Sequence, residues 1–168
     1  MPSNRWSEAL RVHGSAVAAF ASAAEAVEPE SWYLPRAEGK WSPAQIADHL
    51  IRSYDVLLRE IRGGAGMRIR TRAWMRILLR HTYMRRILRG GWFPAGVPAP
   101  SEIRPAKEEL PGQASAVALF RQRAEEFERT VREQPPVRMT HPYFGVLGAE
   151  DGVLLCARHI EHHRGQLP

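Results

Sequence analysis

Apolar residues return at alternating steps of three and four along separate stretches of this chain, the spacing of a helix buried on one side. In the first stretch they are Trp6, Leu10, Val17, Phe20, Ala24 and Val27, with His13 filling the gap in the stripe and Asn4 placed as a cap. Glu28-Pro29 should end it. The second begins with little freedom, because Ser42-Pro43-Ala44-Gln45 is a capping box with proline at the first helical position. Its inward face is Ile46, His49 and Leu50, Ser53, Leu57 and Ile61. A third core helix carries Val117, Phe120, Ala124, Phe127 and Val131 and ends at Pro135-Pro136. The last begins around Gly148-Ala149-Glu150-Asp151, whose two acids suit the positive end of the helix dipole. Four such segments predict an all-α fold, an antiparallel four-helix bundle with one long crossover.

That crossover is where the composition is uneven. Arg59 to Arg89 holds ten arginines against one acid, Glu60, a balance of +9; the whole chain is +6, so the remainder is −3. Gly63-Gly64-Ala65-Gly66 breaks the second helix, and Met67 to Arg89 reads as an additional basic helix with Ile69, Ala73, Ile77, Met84, Ile87 and Leu88 on an apolar side. A basic amphipathic helix can lie on an anionic membrane or track phosphates, but a charge run of this kind is first read as a solvated face. No nucleic-acid motif accompanies Trp74, Tyr83 and Trp92, so neither nucleic acid nor membrane is an expected partner. Gly90 to Gly112, with five prolines, carries the chain on without regular helix for long.

At 168 residues with 44% apolar content, residues 1–168 are expected to form one domain. The single cysteine, Cys156, excludes an internal disulfide, and the first residues lack an apolar signal run, so a cytoplasmic setting is expected. No stretch approaches the ~20 apolar residues of a membrane span. A serine nucleophile elbow, a phosphate-binding loop and a dinucleotide fingerprint are all absent from the sequence.

The chemistry concentrates in histidine. His159 and His163 are four apart, which on a helix sets them ~40° apart around the axis and one turn apart along it, two imidazoles aimed at one point. Such a pair suits a zinc-class ion but cannot complete its coordination. His49 points into the bundle one turn after Ile46 and is the best third donor, though a lone histidine there is ordinarily a hydrogen-bonded core residue. His162 lies ~100° from His163 and competes poorly. His141, before a proline, reads better as a brace at the bundle end, and His13 as a hydrogen-bonded core histidine. Asp48 and Glu161 adjoin the candidate ligands in sequence but point away, whereas Gln166, three beyond His163, can orient a ligand. Cys156 reads as a small core residue.

Trp41-Ser42-Pro43 running to His49-Leu50, His141-Pro142-Tyr143-Phe144-Gly145, and His159-x-x-x-His163-Arg164-Gly165-Gln166 together resemble the DinB-like (DinB/YfiT) superfamily of metal-binding four-helix bundles. The resemblance follows nearly the whole chain in order and spacing, with these three segments its specific part. It implies His49, His159 and His163 as ligands of a divalent metal, zinc or nickel, with an open position for substrate. It further implies a metal-dependent transferase of a low-molecular-weight thiol, or a hydrolase, acting on a small electrophile, and a homodimer. The alternatives are a non-catalytic metal or small-ligand module, and an interaction protein working through the arginine-rich helix 67–89. Where relatives often place a hydroxyl cap and a bulky aromatic at the start of the last helix, this chain has Gly148 and Gly152.

Overall fold

The computed structural model describes residues 4–94, 96–134 and 137–168. Its core helices are α1 (Asn4–Glu25), α2 (Pro43–Ile61), α5 (Gln113–Glu133) and α6 (Ala149–Arg164); the crossover from α2 to α5 contains α3 (Ala73–Leu79) and α4 (Arg85–Gly90). The expected stop of α5 at Pro135-Pro136 lies outside the described residues, as does the start of the chain through Ser3.

α2 starts where its capping box requires. The Ser42 hydroxyl accepts from the Gln45 N–H, the Gln45 amide oxygen accepts from the Ser42 N–H, and Pro43 takes the position that needs no donor. A further tie comes from the Ala44 N–H, which donates to the Trp32 carbonyl at 3.0 Å. Ser42 is buried, so Ser42→Ala should lower stability by about 1 kcal/mol in urea titration, with the helix content of the folded state unchanged.

The four helices form two parallel pairs that run opposite to each other. Arg5 bonds Asp151 at 2.9 Å, joining the starts of α1 and α6. The Gln113 amide, opening α5, donates to the carbonyls of Ala24 and Val27 at the far end of α1. Arg62, just past α2, pairs with Glu126 in the second half of α5. The long crossover is therefore what lets α2 and α5 run in the same direction. Phe20, Ile46, Leu50, Phe120, Phe127, Val153, Ala157 and Ile160 fill the space between the four. His13, fully buried, donates from Nδ1 to Glu128 and accepts at Nε2 from the Tyr54 hydroxyl, both at 2.7 Å, so one side chain from each of α1, α2 and α5 is satisfied at the centre. This is the hydrogen-bonded core histidine that its place in the stripe predicts.

Two features depart from the sequence reading. The segment before α6 is a short antiparallel hairpin, β1 (Arg138–His141) and β2 (Gly145–Gly148), with Arg138 opposite Gly148 and His141 opposite Gly145. Its turn needs Gly145 at φ +73°, where an added Cβ would also lie 2.9 Å from the Arg76 side chain. The hairpin fixes the start of α6 in place of a hydroxyl cap: Met139 fills the space over Gly152, whose missing Cβ would lie 2.5 Å from the Met139 methyl.

The crossover helix is also shorter and turned differently than expected. Residues 65–70 are irregular, helix begins at Ala73, and Arg80–Met84 is a π turn between α3 and α4. The extra residue of a π turn rotates everything after it relative to what precedes. Met84 and Ile87 therefore bury against Phe144, Leu147 and Leu155, while Ala73 and Ile77, expected on the same apolar side, are exposed, as is Ile69 in the irregular stretch before the helix. Among the described residues no helix is long and apolar enough to cross a membrane.

Candidate metal centre

α2 and α6 make little backbone contact; the bundle closes on that side through imidazoles. His49 projects from the second turn of α2, and His159 and His163 from successive turns at the end of α6. His159 Nε2 lies 3.1 Å from His49 Nε2 and 3.0 Å from His163 Nε2. The three form one group with ligand atoms within 4.8 Å of one another.

The outer nitrogens explain which lone pairs face inward. His49 Nδ1 is 2.6 Å from the Ile103 carbonyl, an acceptor only, so Nδ1 carries the proton and Nε2 presents its lone pair to the cluster. His163 Nδ1 donates to the Gln166 amide oxygen at 2.8 Å with the same result, and the Gln166 NH2 donates onward to His162 Nε2 at 2.9 Å. Two lone pairs thus converge on His159 Nε2, whose one possible N–H can satisfy only one of them. A divalent ion bound tetrahedrally at ~2.0–2.1 Å from each nitrogen would hold them about 3.3–3.4 Å apart, close to the 3.1 and 3.0 Å of the two pairs that involve His159. The donor set fits such an ion in chemistry and tautomer.

Burial keeps these rings neutral, as ligation requires. It pushes His49 down to about 4 and His163 to about 3, and it lowers His159 well below the usual value, the neighbouring imidazoles adding to the effect. Trp41 supplies one wall, stacked at 20° on His163 with centroids 5.9 Å apart and 4.8 Å from His49. Phe93, from the crossover, lies against His162 at 4.9 Å and His159 at 5.9 Å.

The other candidates from sequence do not join this ligand group, although the His162 ring lies 5.1 Å from that of His163. His162 is tied to Gln166 and Phe93. His141 stacks on Phe144 at 4.5 Å and accepts the backbone N–H groups of Tyr143 and Phe144 at Nδ1, bracing the hairpin tip. Asp48 accepts from Arg52 and from the Ala106 N–H, and Glu161 accepts from Arg158, so both carboxylates are engaged away from the cluster. Burial pushes the Cys156 thiol up to about 12. Sequence reasoning missed Phe93, which lies outside any periodic stretch, and Ile103, which contributes a backbone carbonyl and therefore no residue-type signature.

No curated protein matches the chain. Among solved structures it resembles YfiT from Bacillus subtilis, described as a probable metal-dependent hydrolase with an unusual four-helix bundle topology; identity is 15%, TM-score 0.57, and the match covers 99% of this chain and 86% of that one. At that identity the likeness speaks for the fold, two parallel helix pairs joined by a long crossover. The DinB superfamily model matches residues 15–167, a span that includes the capping box, the hairpin and all three converging histidines, and the chain belongs to that superfamily.

Proposed function

We propose that the protein binds one divalent ion, zinc or nickel, through His49, His159 and His163, and uses it to move a low-molecular-weight thiol or water onto a small electrophile. The observation that carries this is the convergence of the three Nε2 atoms, with two tautomers set by Ile103 and Gln166. When bound, such an ion supplies Lewis acidity and lowers the pKa of a water or thiol beside it. The chain's own residues do the rest: Trp41 and Phe93 wall the site with apolar surface, and Gln166 holds His163 in register. The high pKa of Cys156 argues that any thiol transferred comes from outside the chain. Homodimer formation belongs to the same reading and is checked by sedimentation velocity.

Elemental analysis of the purified protein should find one zinc or nickel per chain. His49→Ala and His163→Ala should abolish it while circular dichroism still reports the bundle, since the apolar core and not the ion closes the fold. Gln166→Ala should weaken affinity about 10–100-fold by freeing the His163 ring. Equal metal in wild type and both alanine variants would sink the ligand assignment. A second reading, a metal-binding module without turnover, is favoured by one observation: among the described residues no carboxylate joins the cluster to move a proton. Stoichiometric metal with no turnover in a screen of thiol-transfer and hydrolytic substrates would decide for it.

A further inference from the structure

The crossover helix leaves its outer face uncovered, and that face is not the solvated, charged one its composition suggests. Trp74, Ile77 and Leu78, at i, i+3 and i+4, share one side of α3 and are 60%, 61% and 55% exposed. Ile69, just before α3, and Val146 of β2 are exposed as well; the Val146 carbonyl accepts from Arg80, which brings the strand beside the helix. An exposed apolar helix face such as that of Trp74, Ile77 and Leu78 marks a place where something docks.

The charge around it selects the partner. Between Glu60 and Glu102 the sequence contains no acidic residue and nine arginines. Arg72 before α3, and Arg85 and Arg89 along α4, are exposed, and their side chains have no carboxylate partner among the described residues. Arg86 lies over the Trp92 ring at 5.0 Å, and Trp92 stacks on Tyr83 at 5.9 Å.

We propose that the outer face of α3 and α4 is a docking surface for the anionic face of a lipid bilayer. Two chemistries have to be met side by side, guanidinium groups that want phosphate or carboxylate and aliphatic and indole groups that want to leave water, and the headgroup–acyl boundary of an anionic bilayer offers both. Trp74, on the same face as Ile77 and Leu78, suits that depth. A nucleic acid would satisfy the arginines and leave Ile77 and Leu78 in water, since neither stacks on a base. A second copy would press this arginine-rich face against another like it. The helix would lie in the plane of the interface, and no part of it would span the membrane.

Flotation of the full chain with vesicles tests this. Binding is expected to vesicles of phosphatidylcholine mixed with phosphatidylglycerol and not to pure phosphatidylcholine, to weaken as salt is added, and to shift tryptophan emission to the blue. I77D/L78D should lower partitioning at least tenfold, because the apolar contact is replaced by two negative charges. Arg85→Gln and Arg89→Gln should each lower it about fivefold. All four positions are exposed, so thermal melts of the variants should overlay the wild type. Equal binding to both vesicle types, no binding to either, or binding unchanged in I77D/L78D would overturn the proposal. So would a dimer without lipid that Leu78→Asp splits, or tight duplex or single-stranded nucleic-acid binding that displaces the vesicles.

Discussion

Acidifying the metal-free protein from pH 7.5 to pH 4.5 is expected to remove most of its stability, beginning near pH ~6.5 where free histidines protonate. His49 and His141 are held at about 4 and His163 at about 3, with His159 lower than usual as well, all because burial disfavours the imidazolium. A base whose pKa is depressed in the folded state stays neutral there while the unfolded chain takes up the proton. Its contribution is therefore complete above ~6.5 and is lost as pH falls toward the folded value, at about 1.4 kcal/mol per pH unit for each group. Several groups acting in the same direction draw on a typical reserve of only ~5–15 kcal/mol. Glu128, lowered chiefly by its bond from His13, acts in a more acidic window, so the loss between 6.5 and 4.5 belongs to the imidazoles. Urea midpoints measured across that range check it, and a flat profile would mean that the rings are not buried as neutral groups. Zinc added at each pH should raise the midpoint, because the ion competes with protons for the same lone pairs.

Phe120→Ala should be the most damaging single truncation in the bundle. The ring is fully buried between Phe20, 4.8 Å away, and Tyr54, 5.9 Å away, and Tyr54 in turn carries the hydroxyl that reaches His13. Removing it opens a cavity that three helices would have to collapse around, at a cost of about 3–5 kcal/mol. For a chain of this length that is a drop of roughly 6–20 °C in melting temperature. Ile77→Ala, deleting an apolar side chain that is 61% exposed, should stay within about 0.5 kcal/mol. Similar losses from the two would mean that the core has been assigned to the wrong helix faces.

The two substitutions mark where the sequence was readable. Phe120 sits in an unbroken three-and-four pattern, and pattern alone places it inside. Ile77 sits in an equally apolar pattern, yet the π turn at Arg80–Met84 adds one residue and puts Ile77 outside while Met84 and Ile87 go in. Hydrogen-bond register of that kind leaves no mark in residue type. The start of α2 was legible to the residue because the capping box is built from side chains. The site's histidines could be paired by spacing on α6, and His49 could be added through a resemblance, but the Ile103 carbonyl that turns His49 inward could not be read from any side chain. The hairpin escaped for another reason: four-residue strands are too short for alternation to rise above loop sequence.

Met139 and Gly152 occupy one volume between them, the methionine reaching over a helix position that has no side chain. Neither position is free to drift by itself. A larger residue at 152 would push the hairpin off α6 unless 139 shrank in the same lineage, and a smaller residue at 139 would leave a void unless 152 grew. Related sequences should therefore exchange bulk between these two sites, a large residue at one accompanying a small residue at the other, and a chain with an aromatic at 152 should carry alanine, serine or glycine at 139.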